Sequence, residues 1–368
     1  MPGNHARRRD LLRATVIGRG ADAALITKLV NVRYLTGLAS SNAALLLPAG
    51  GGAVLATDSR YALTAERACG DVELLIAREV EPALAGLAAQ RNLRRLAFEA
   101  QEMTVERYEA LTGSGLGLEP QPLGHAVEEL RTVKDDDEIA LLARACAITA
   151  EAVGAVLPRI RAGMTERELA MAVDRAMTDA GAEKPAFDTI VASGPNGAIP
   201  HHAPGERAFA AGDMITVDCG ARCGGYHADM TRTVVLGPPA DWQQEVYQLV
   251  AAAQRAGIAA ATAGAAVADV DAAARDLIAA AGHGEHFPHG LGHGVGLEIH
   301  EAPMMARARP GRLDAGVPIT VEPGIYLPGM GGVRIEDTLV VRSGAGAPVP
   351  GELLTATTTS PPGELLAL

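Results

Sequence analysis

The chain has 368 residues, a net charge of −12 and only 3% aromatic residues. Its length suits two domains of ordinary size, and its acidic balance, with no basic stripe, argues against nucleic acid or an anionic membrane as a partner. It has no run of 18 apolar residues, so no membrane span is expected. Four cysteines are too few for a disulfide framework, which favours a reducing cytoplasm.

The first part of the chain alternates strand and helix signals. Short apolar runs at residues 24–26, 43–47 and 53–56 predict strands, and residues 81–90 and 105–111 have helical spacing. No cluster of His, Cys, Asp and Glu occurs here, so we expect this part to be architectural or to shape the substrate entrance. A charged run at residues 134–138 precedes a long helical pattern, and its acidic residues suit a helix N-terminus. We therefore expect domains at residues 1–132 and 133–368.

The second part of the chain combines long helices with strand pairs. A helix is predicted from Thr165 to Ala180, with Thr165 as N-cap and Glu168 completing a capping box, and further helices at residues 240–263 and 267–281. Residues 214–219 and 228–235 alternate in period two and predict an antiparallel hairpin, and residues 319–322 and 332–338 predict a second pair. The expected domain is α+β, with helices outside a curved antiparallel sheet. The Thr-, Pro- and Gly-rich tail from Thr355 is expected to be poorly ordered.

Four carboxylates and one histidine in this second part have the character of metal ligands. Because alternate residues of a strand share a face, closing each strand pair directs Asp218 and Asp229, and then Glu322 and Glu336, toward one cavity that His293 can complete. Four carboxylates balance the charge of two divalent ions, whereas without metal they repel one another and some hold protons. The hard, oxygen-rich set suits Mn, Co, Zn or Fe. This pattern predicts a two-metal hydrolase.

A glycine-rich segment at residues 286–303 contains four histidines. Its glycines let the backbone come close to metal and substrate. One histidine ligates through a single ring nitrogen, while the others donate to an oxyanion or orient the ligands. We interpret His283 and His286 as bystanders.

Taken together, these segments resemble the signature blocks of the pita-bread metallopeptidases, and within them the Xaa-Pro peptidases, aminopeptidase P and prolidase. The blocks are residues 217–220, 226–233, 289–303, 321–326 and 333–337. Residues 31–37 and 57–61 are similar to the creatinase-type N-terminal domain. The resemblance implies a C-terminal pita-bread (creatinase/aminopeptidase) domain, preceded by a smaller α/β creatinase-type domain, and it suggests a homodimer.

The resemblance also assigns roles to individual residues. The implied metal ligands are Asp218, Asp229, His293, Glu322 and Glu336. Asp229 and Glu336 are implied to bridge two divalent ions. The resemblance implies that these ions are Mn or Co, and Zn or Fe would also suit the ligands. The implied catalytic and supporting residues are Glu322 as general base, His201 over the scissile bond, His289 and His300 at the tetrahedral intermediate, and Arg334 and Tyr326 behind the ligands. A neighbouring His202 makes the first of the histidines ambiguous, and the spacing to Asp218 favours His201.

The expected activity is hydrolysis of Xaa-Pro bonds at peptide N-termini, of the aminopeptidase P type. Two metal ions lower the pKa of a water held between them, which makes hydroxide available to attack the peptide carbonyl. An Xaa-Pro dipeptidase (prolidase) is the alternative, and a non-catalytic peptide-binding module on the same fold is the alternative of a different class. Methionine aminopeptidases usually lack the N-terminal domain, and creatinase-like amidinohydrolases lack the carboxylate cage, so both fit the chain less well.

Overall fold

Residues 2–344, 351–355 and 365–368 are described by a computed structural model of the chain. They separate into two units, Met1–Arg131 and Thr132–Leu368. The tail for which the sequence predicts poor order falls largely outside the described residues.

The N-terminal unit alternates strands and helices, as the sequence predicts. Its strands are β1 (Ala23–Ile26), β2 (Ala43–Pro48), β3 (Val54–Thr57), β4 (Glu73–Ile76), β5 (Arg95–Phe98) and β6 (Glu119–Pro122). Its helices are α1 (Pro2–Gly18), α2 (Leu29–Thr36), α3 (Ala62–Ala68), α4 (Val80–Gln90), α5 (Val105–Thr112) and α6 (Ala126–Thr132). The strands form one mixed sheet in the order β4-β3-β2-β1-β5-β6. Because β1, β2 and β3 are buried along their whole length, their sequences are continuous apolar runs rather than alternating ones.

Long helices form the outer part of the C-terminal unit. They are α7 (Asp136–Val156), α8 (Glu166–Asp179), α9 (Asp241–Ala260) and α10 (Val267–Ala280). The capping box predicted for α8 is confirmed, since Thr165 Oγ1 accepts from the Glu168 backbone at 3.1 Å and Glu168 returns the bond at 2.8 Å. Asp135 and Glu138 form a second capping box at the start of α7, where the sequence analysis predicts only acidic residues near the helix dipole.

Among the described residues, the segment Asp136–Arg159 is long and apolar enough to cross a membrane. Half of its most apolar window is buried within the structure. Ile148 and Val153 of this helix pack with Leu169 of α8 and Val217 in one apolar cluster. The core of the C-terminal unit therefore accounts for the apolar face of this helix.

The strands of the C-terminal unit form several small, mainly antiparallel sheets. They are β7 (Lys184–Pro185), β8 (Ile190–Ser193), β9 (Met214–Cys219), β10 (Ala221–Cys223), β11 (Tyr226–His227), β12 (Met230–Val235), β13 (Gly292–Gly294), β14 (Glu301–Met305), β15 (Pro318–Val321), β16 (Gly324–Leu327), β17 (Gly331–Arg334), β18 (Asp337–Val340) and β19 (Glu352–Leu353). The described residues of this unit also form three short 3-10 helices, at Leu157–Arg159, Gly194–Ala198 and Gly284–His286. The sheet orders are β12-β9-β8, β11-β10-β7, β14-β13-β15-β18-β19 and β16-β17.

The first predicted hairpin is confirmed, with β9 and β12 antiparallel and Asp218 opposite Thr231. The connection is more regular than the sequence suggests, because β10 and β11 pair within it and β10 also pairs with β7. Val217 belongs to the apolar core, so its neighbour Asp218 lies on the other face of β9.

The second predicted pair is confirmed in part, because Thr320 lies opposite Thr338 and Val321 opposite Asp337. The prediction is wrong in treating residues 332–338 as one strand. The stretch divides into β17, which pairs with β16, and β18, which pairs with β15. Pro323 has no N–H to donate to a ladder. The N–H groups of Glu322 and Glu336 donate instead to Leu291 O at 2.8 Å and to Thr231 O at 3.1 Å. Both glutamates thus occupy a break between two ladders.

Small aliphatic side chains fill the core of the C-terminal unit, as the low aromatic content predicts. One cluster lies beneath α7 and α8, and another, which includes Val250 of α9 and Ile319 of β15, lies under α9 and α10. The strands that carry the candidate ligands are held from behind by these clusters.

Candidate metal centre

The two aspartates come from the first hairpin and are almost fully buried, with 8% of Asp218 and 5% of Asp229 exposed. Asp229 directly precedes β12 and shares a face with Thr231, the residue opposite Asp218. The two carboxyl groups are close enough to share a hydrogen bond when one is protonated. Arg334 Nη2 donates to Asp218 Oδ2 at 2.7 Å.

His293 stands between two glycines because its strand is sandwiched tightly between β14 and β15. A Cβ atom on Gly292 would lie 2.1 Å from Thr320 O, and one on Gly294 would lie 2.2 Å from Ala302 O. His293 Nδ1 donates to Gly294 O at 3.0 Å, which leaves Nε2 as the unprotonated nitrogen of the neutral ring. The sequence therefore needs glycine on both sides to bring this imidazole into the site.

The two glutamates face the same space from the break between the ladders. Glu322 Oε1 lies 3.4 Å from His293 Nε2, and Asp229 Oδ2 lies at the same distance from that nitrogen. Ligand atoms of Asp229, His293 and Glu336 all lie within 4.8 Å of one another. The structure thus brings all five predicted ligands together. Asp229, His293 and Glu336 surround one point, Glu322 lies next to His293, and Asp218 lies next to Asp229.

The electrostatics of this cluster favour cations. Burial raises the pKa of Asp229 and of Glu336 well above the usual carboxyl range, and repulsion from the neighbouring carboxylates raises both further. Burial likewise raises the pKa of Glu322. Asp218 Oδ1 and Glu336 Oε1 are buried acceptors without a hydrogen-bond partner in the described part of the chain. Unsatisfied, mutually repelling oxygens fit divalent metal ions, which supply positive charge and coordination at the same place.

The metal-free protein is expected to lose stability as the pH rises above the ordinary carboxyl pKa values of 3.8 and 4.5. The unfolded chain releases protons there, while native Asp229 and Glu336 keep theirs, so the free energy of unfolding falls with pH. Replacing Glu336 by glutamine removes one such group and should flatten this slope. Urea unfolding in a chelator at pH 5 and pH 7 measures both slopes. Parallel slopes for the wild type and Glu336→Gln would contradict the assignment.

Next to the ligands lies a chain of hydrogen bonds from Arg334 to His289. Arg334 Nη1 donates to the Tyr326 hydroxyl at 2.9 Å, and Tyr326 donates to His289 Nε2 at 2.9 Å. His289 Nδ1 donates to Gly290 O at 2.8 Å, so both nitrogens of this ring are engaged. Burial lowers the pKa of His289 to about 4 and raises the pKa of Tyr326 to about 12. The Tyr326 hydroxyl and the His289 ring are therefore both uncharged around pH 7. For His289 Nε2 to contact an oxyanion, its hydrogen bond with Tyr326 must first be broken.

The other two predicted histidines are exposed at the mouth of the site. The His300 ring packs edge-on against the ring of His293, with centroids 4.3 Å apart. Although His300 is exposed overall, partial burial lowers the pKa of its ring, and the positive charges that His293 and His201 can carry lower it further. His201 also lowers the pKa of His289. The backbone beside His201 reaches the site, because Pro200 O accepts from Arg334 Nη1 at 3.3 Å. His283 and His286 bond to each other at 3.2 Å.

Two buried residues near the site escape sequence analysis. Lys134 pairs with Glu301 at 2.9 Å with both side chains buried, although it opens a run that reads as a charged helix end. Glu166 begins α8 and is fully buried, although an acidic residue there is equally expected from the helix dipole alone. His202 bonds to Glu166 at 2.8 Å, which separates it from the exposed His201.

Comparison with known proteins agrees with this architecture. Residues 8–133 match the family described as Creatinase/Prolidase N-terminal domain, and residues 140–343 match Metallopeptidase family M24. The chain is 37% identical over 340 residues to an Xaa-Pro dipeptidase of Pyrococcus horikoshii, which covers 87% of this chain and 90% of the relative.

Solved structures extend the likeness over nearly the whole chain. An Xaa-Pro dipeptidase from Bacillus anthracis has a TM-score of 0.93 at 35% identity, covering 99% of this chain and 100% of that one. An X-Pro aminopeptidase from Thermotoga maritima has a TM-score of 0.88 at 33% identity, covering 98% and 99%. These matches confirm the predicted fold class and the enzyme class, and they imply divalent metal ions. The chain therefore belongs to metallopeptidase family M24 and carries a creatinase/prolidase-type N-terminal domain.

Proposed function

We propose that this metallopeptidase hydrolyses Xaa-Pro bonds and that its preferred substrates are Xaa-Pro dipeptides. The main support is a complete set of five candidate ligands in a chain that aligns over 99% of its length with an Xaa-Pro dipeptidase. This choice favours the prolidase alternative over the aminopeptidase P activity expected first from the sequence. Aminopeptidase action on longer peptides is the second candidate, because an X-Pro aminopeptidase aligns almost as completely.

The five residues of the cage would hold two divalent ions, for which we propose manganese or cobalt, and Asp229 and Glu336 would be the ligands common to both. When bound, the ions supply a hydroxide nucleophile at neutral pH and polarise the scissile carbonyl. Glu322 is the proposed general base, because a carboxylate beside the ions can both ligate and exchange a proton. Thr320 Oγ1 donates to Glu322 Oε1 at 3.2 Å and orients the carboxyl group.

The open side of the site suits a proline-containing peptide. The bond before proline has no N–H, so its recognition needs an apolar surface and a proton source for the leaving nitrogen. Met304 lies opposite His293 across β13 and β14 with 41% of its surface exposed, and it offers such an apolar contact. His201 and His300 are the proposed hydrogen-bonding groups for the reacting amide, and Arg334 and Tyr326 hold Asp218 and His289 in place.

We also propose a homodimer and a cytoplasmic location. The homodimer rests on the family resemblance. All four cysteines are free thiols, as a reducing compartment favours.

An assay of chelated enzyme reconstituted separately with Mn, Co and Zn tests the proposed function. Ala-Pro is expected to be cleaved with a kcat/KM more than about tenfold above that of Ala-Pro-Ala, a difference of about 1.4 kcal/mol in transition-state stabilisation. Ala-Ala and metal-free enzyme are the controls and should show little turnover. Cleavage of the tripeptide alone would establish the aminopeptidase instead, and failure on both proline substrates with every metal would refute proline-directed activity.

A further inference from the structure

The buried carboxylate of Glu166 accepts five hydrogen bonds from residues 193–205, which run from the end of β8 through a 3-10 helix into a loop. Its Oε1 accepts from the Ser193 backbone at 2.9 Å, the Ser193 hydroxyl at 2.7 Å and Asn196 Nδ2 at 3.0 Å. Its Oε2 accepts from His202 Nε2 at 2.8 Å and from the Gly205 backbone at 3.1 Å. We call this arrangement the Glu166 anchor. It fixes residues 193–205 to the first turn of α8.

The anchor is charged and internally complete. Burial alone would raise the pKa of Glu166, but the bonds from Asn196, His202 and Ser193 outweigh it and hold the pKa below its usual value. Arg207 Nη1 donates to the Ser193 hydroxyl at 2.7 Å, so this hydroxyl has its own proton free for Glu166. Because five donors bind one ionised carboxylate, the anchor should hold residues 193–205 rigidly against α8.

His201 lies between two fixed neighbours on this loop. On one side, Pro200 O accepts from Arg334 Nη1 at 3.3 Å, and Arg334 also binds the candidate ligand Asp218. On the other side, the His202 ring is held by Glu166. His201 itself is exposed. The His202 ring is thus held in the anchor, whereas His201 is exposed and directly follows a carbonyl that bonds to Arg334 beside the candidate ligands.

We propose that Glu166 and His202 form a positioning pair that holds His201 over the peptide bond to be cleaved. The pair touches neither substrate nor metal and acts through the backbone of residues 200–202. This inference rests on the proposed function of His201. Since a shift of about 1 Å in a reacting group can reduce catalysis about 100-fold, a loosened loop should impair turnover without loss of metal.

A double-mutant cycle on the metal-loaded full-length enzyme tests the proposal. His202→Ala should lower kcat/KM for Ala-Pro about 10- to 100-fold at unchanged metal content. His202→Gln keeps a donor near the Nε2 position and should recover activity to within about threefold of the wild type. In a His201→Ala background, adding His202→Ala should change kcat/KM by less than about twofold, because the second residue acts through the first.

Hydrogen–deuterium exchange supplies a readout independent of activity. Residues 193–207 should exchange faster in His202→Ala than in the wild type, while residues 289–300 should not change. His125→Gln is the matched control, because this exposed histidine of the N-terminal unit should leave both readouts unchanged.

Several results would overturn the positioning pair. They are full activity of His202→Ala, an equal loss from His202→Ala with and without His201, or unchanged exchange in residues 193–207. A wild type that cleaves no Xaa-Pro peptide would refute the proposed function instead. The exchange comparison would then decide by itself whether the anchor holds the loop.

Discussion

Replacing Asp229 by alanine is expected to lower kcat by more than about 10³-fold, equivalent to about 4 kcal/mol of activation free energy. Asp229 Oδ2 lies 3.4 Å from His293 Nε2 and within the cluster formed with Glu336, so it is well placed to hold a metal ion and is one of the two proposed shared ligands. Its loss would remove charge and coordination from the proposed metal site. Metal content by elemental analysis should fall together with kcat on Ala-Pro.

Asp269→Ala is the matched control for that experiment. Asp269 is an exposed aspartate in the first turn of α10, and its replacement should leave metal content and kcat near those of the wild type. Asp229→Asn keeps the size of the side chain but not its charge, and it should lower metal content and kcat as much as Asp229→Ala does. A residual kcat above about one tenth of the wild type, less than 1.4 kcal/mol of lost stabilisation, would show that Asp229 is not a shared ligand.

Replacing Asp337 by alanine is expected to reduce the free energy of unfolding by about 3–5 kcal/mol. Asp337 and Arg232 form a pair at 2.7 Å in which each side chain is only 1% exposed. Gln254 and Thr355 also donate to Asp337, each at 2.7 Å. Alanine would remove the carboxylate that pairs with the buried Arg232 guanidinium. Urea unfolding in a chelator isolates this effect from metal binding at the adjacent Glu336.

Glu352→Ala provides the comparison with an exposed pair of the same chemistry. Glu352 bonds to Arg342 at 2.6 Å, but the two side chains are 56% and 38% exposed. Removal of the Glu352 side chain should reduce the free energy of unfolding by at most about 1 kcal/mol, because solvent screens an exposed pair. Similar losses for Asp337→Ala and Glu352→Ala would mean that the buried charge is compensated in another way.

Sequence reasoning succeeds where the signal is local. The Thr165 and Glu168 capping box fixes the start of α8 within four residues, and the alternation around Asp218 fixes which face of β9 is polar. Such patterns need only the geometry of one element. For Asp218 and Asp229 this geometry is enough to predict that both carboxylates face one cavity.

Sequence reasoning fails where a residue depends on distant partners. The pattern of residues 332–338 predicts one continuous strand, but Glu322 and Glu336 donate their backbone N–H groups to Leu291 O and Thr231 O, partners that no local pattern identifies. Glu166 is a similar case. It lies 36 positions before His202, and an acidic residue in the first turn of a helix is normally solvated, so nothing in the sequence indicates that its side chain turns inward.

Foreign peptides should be accepted at residues 328–330, the exposed tip of the β16–β17 hairpin. Residues added at this tip lengthen only a turn, and each doubling of loop length costs only about 0.6 kcal/mol. A single residue inserted between β15 and β16 would instead rotate Glu322 away from Glu336, because neighbouring side chains point to opposite faces. Affinity tags, epitopes or fluorescent reporters therefore belong at the tip of the hairpin. Libraries for directed evolution should keep the chain length fixed between β15 and β16.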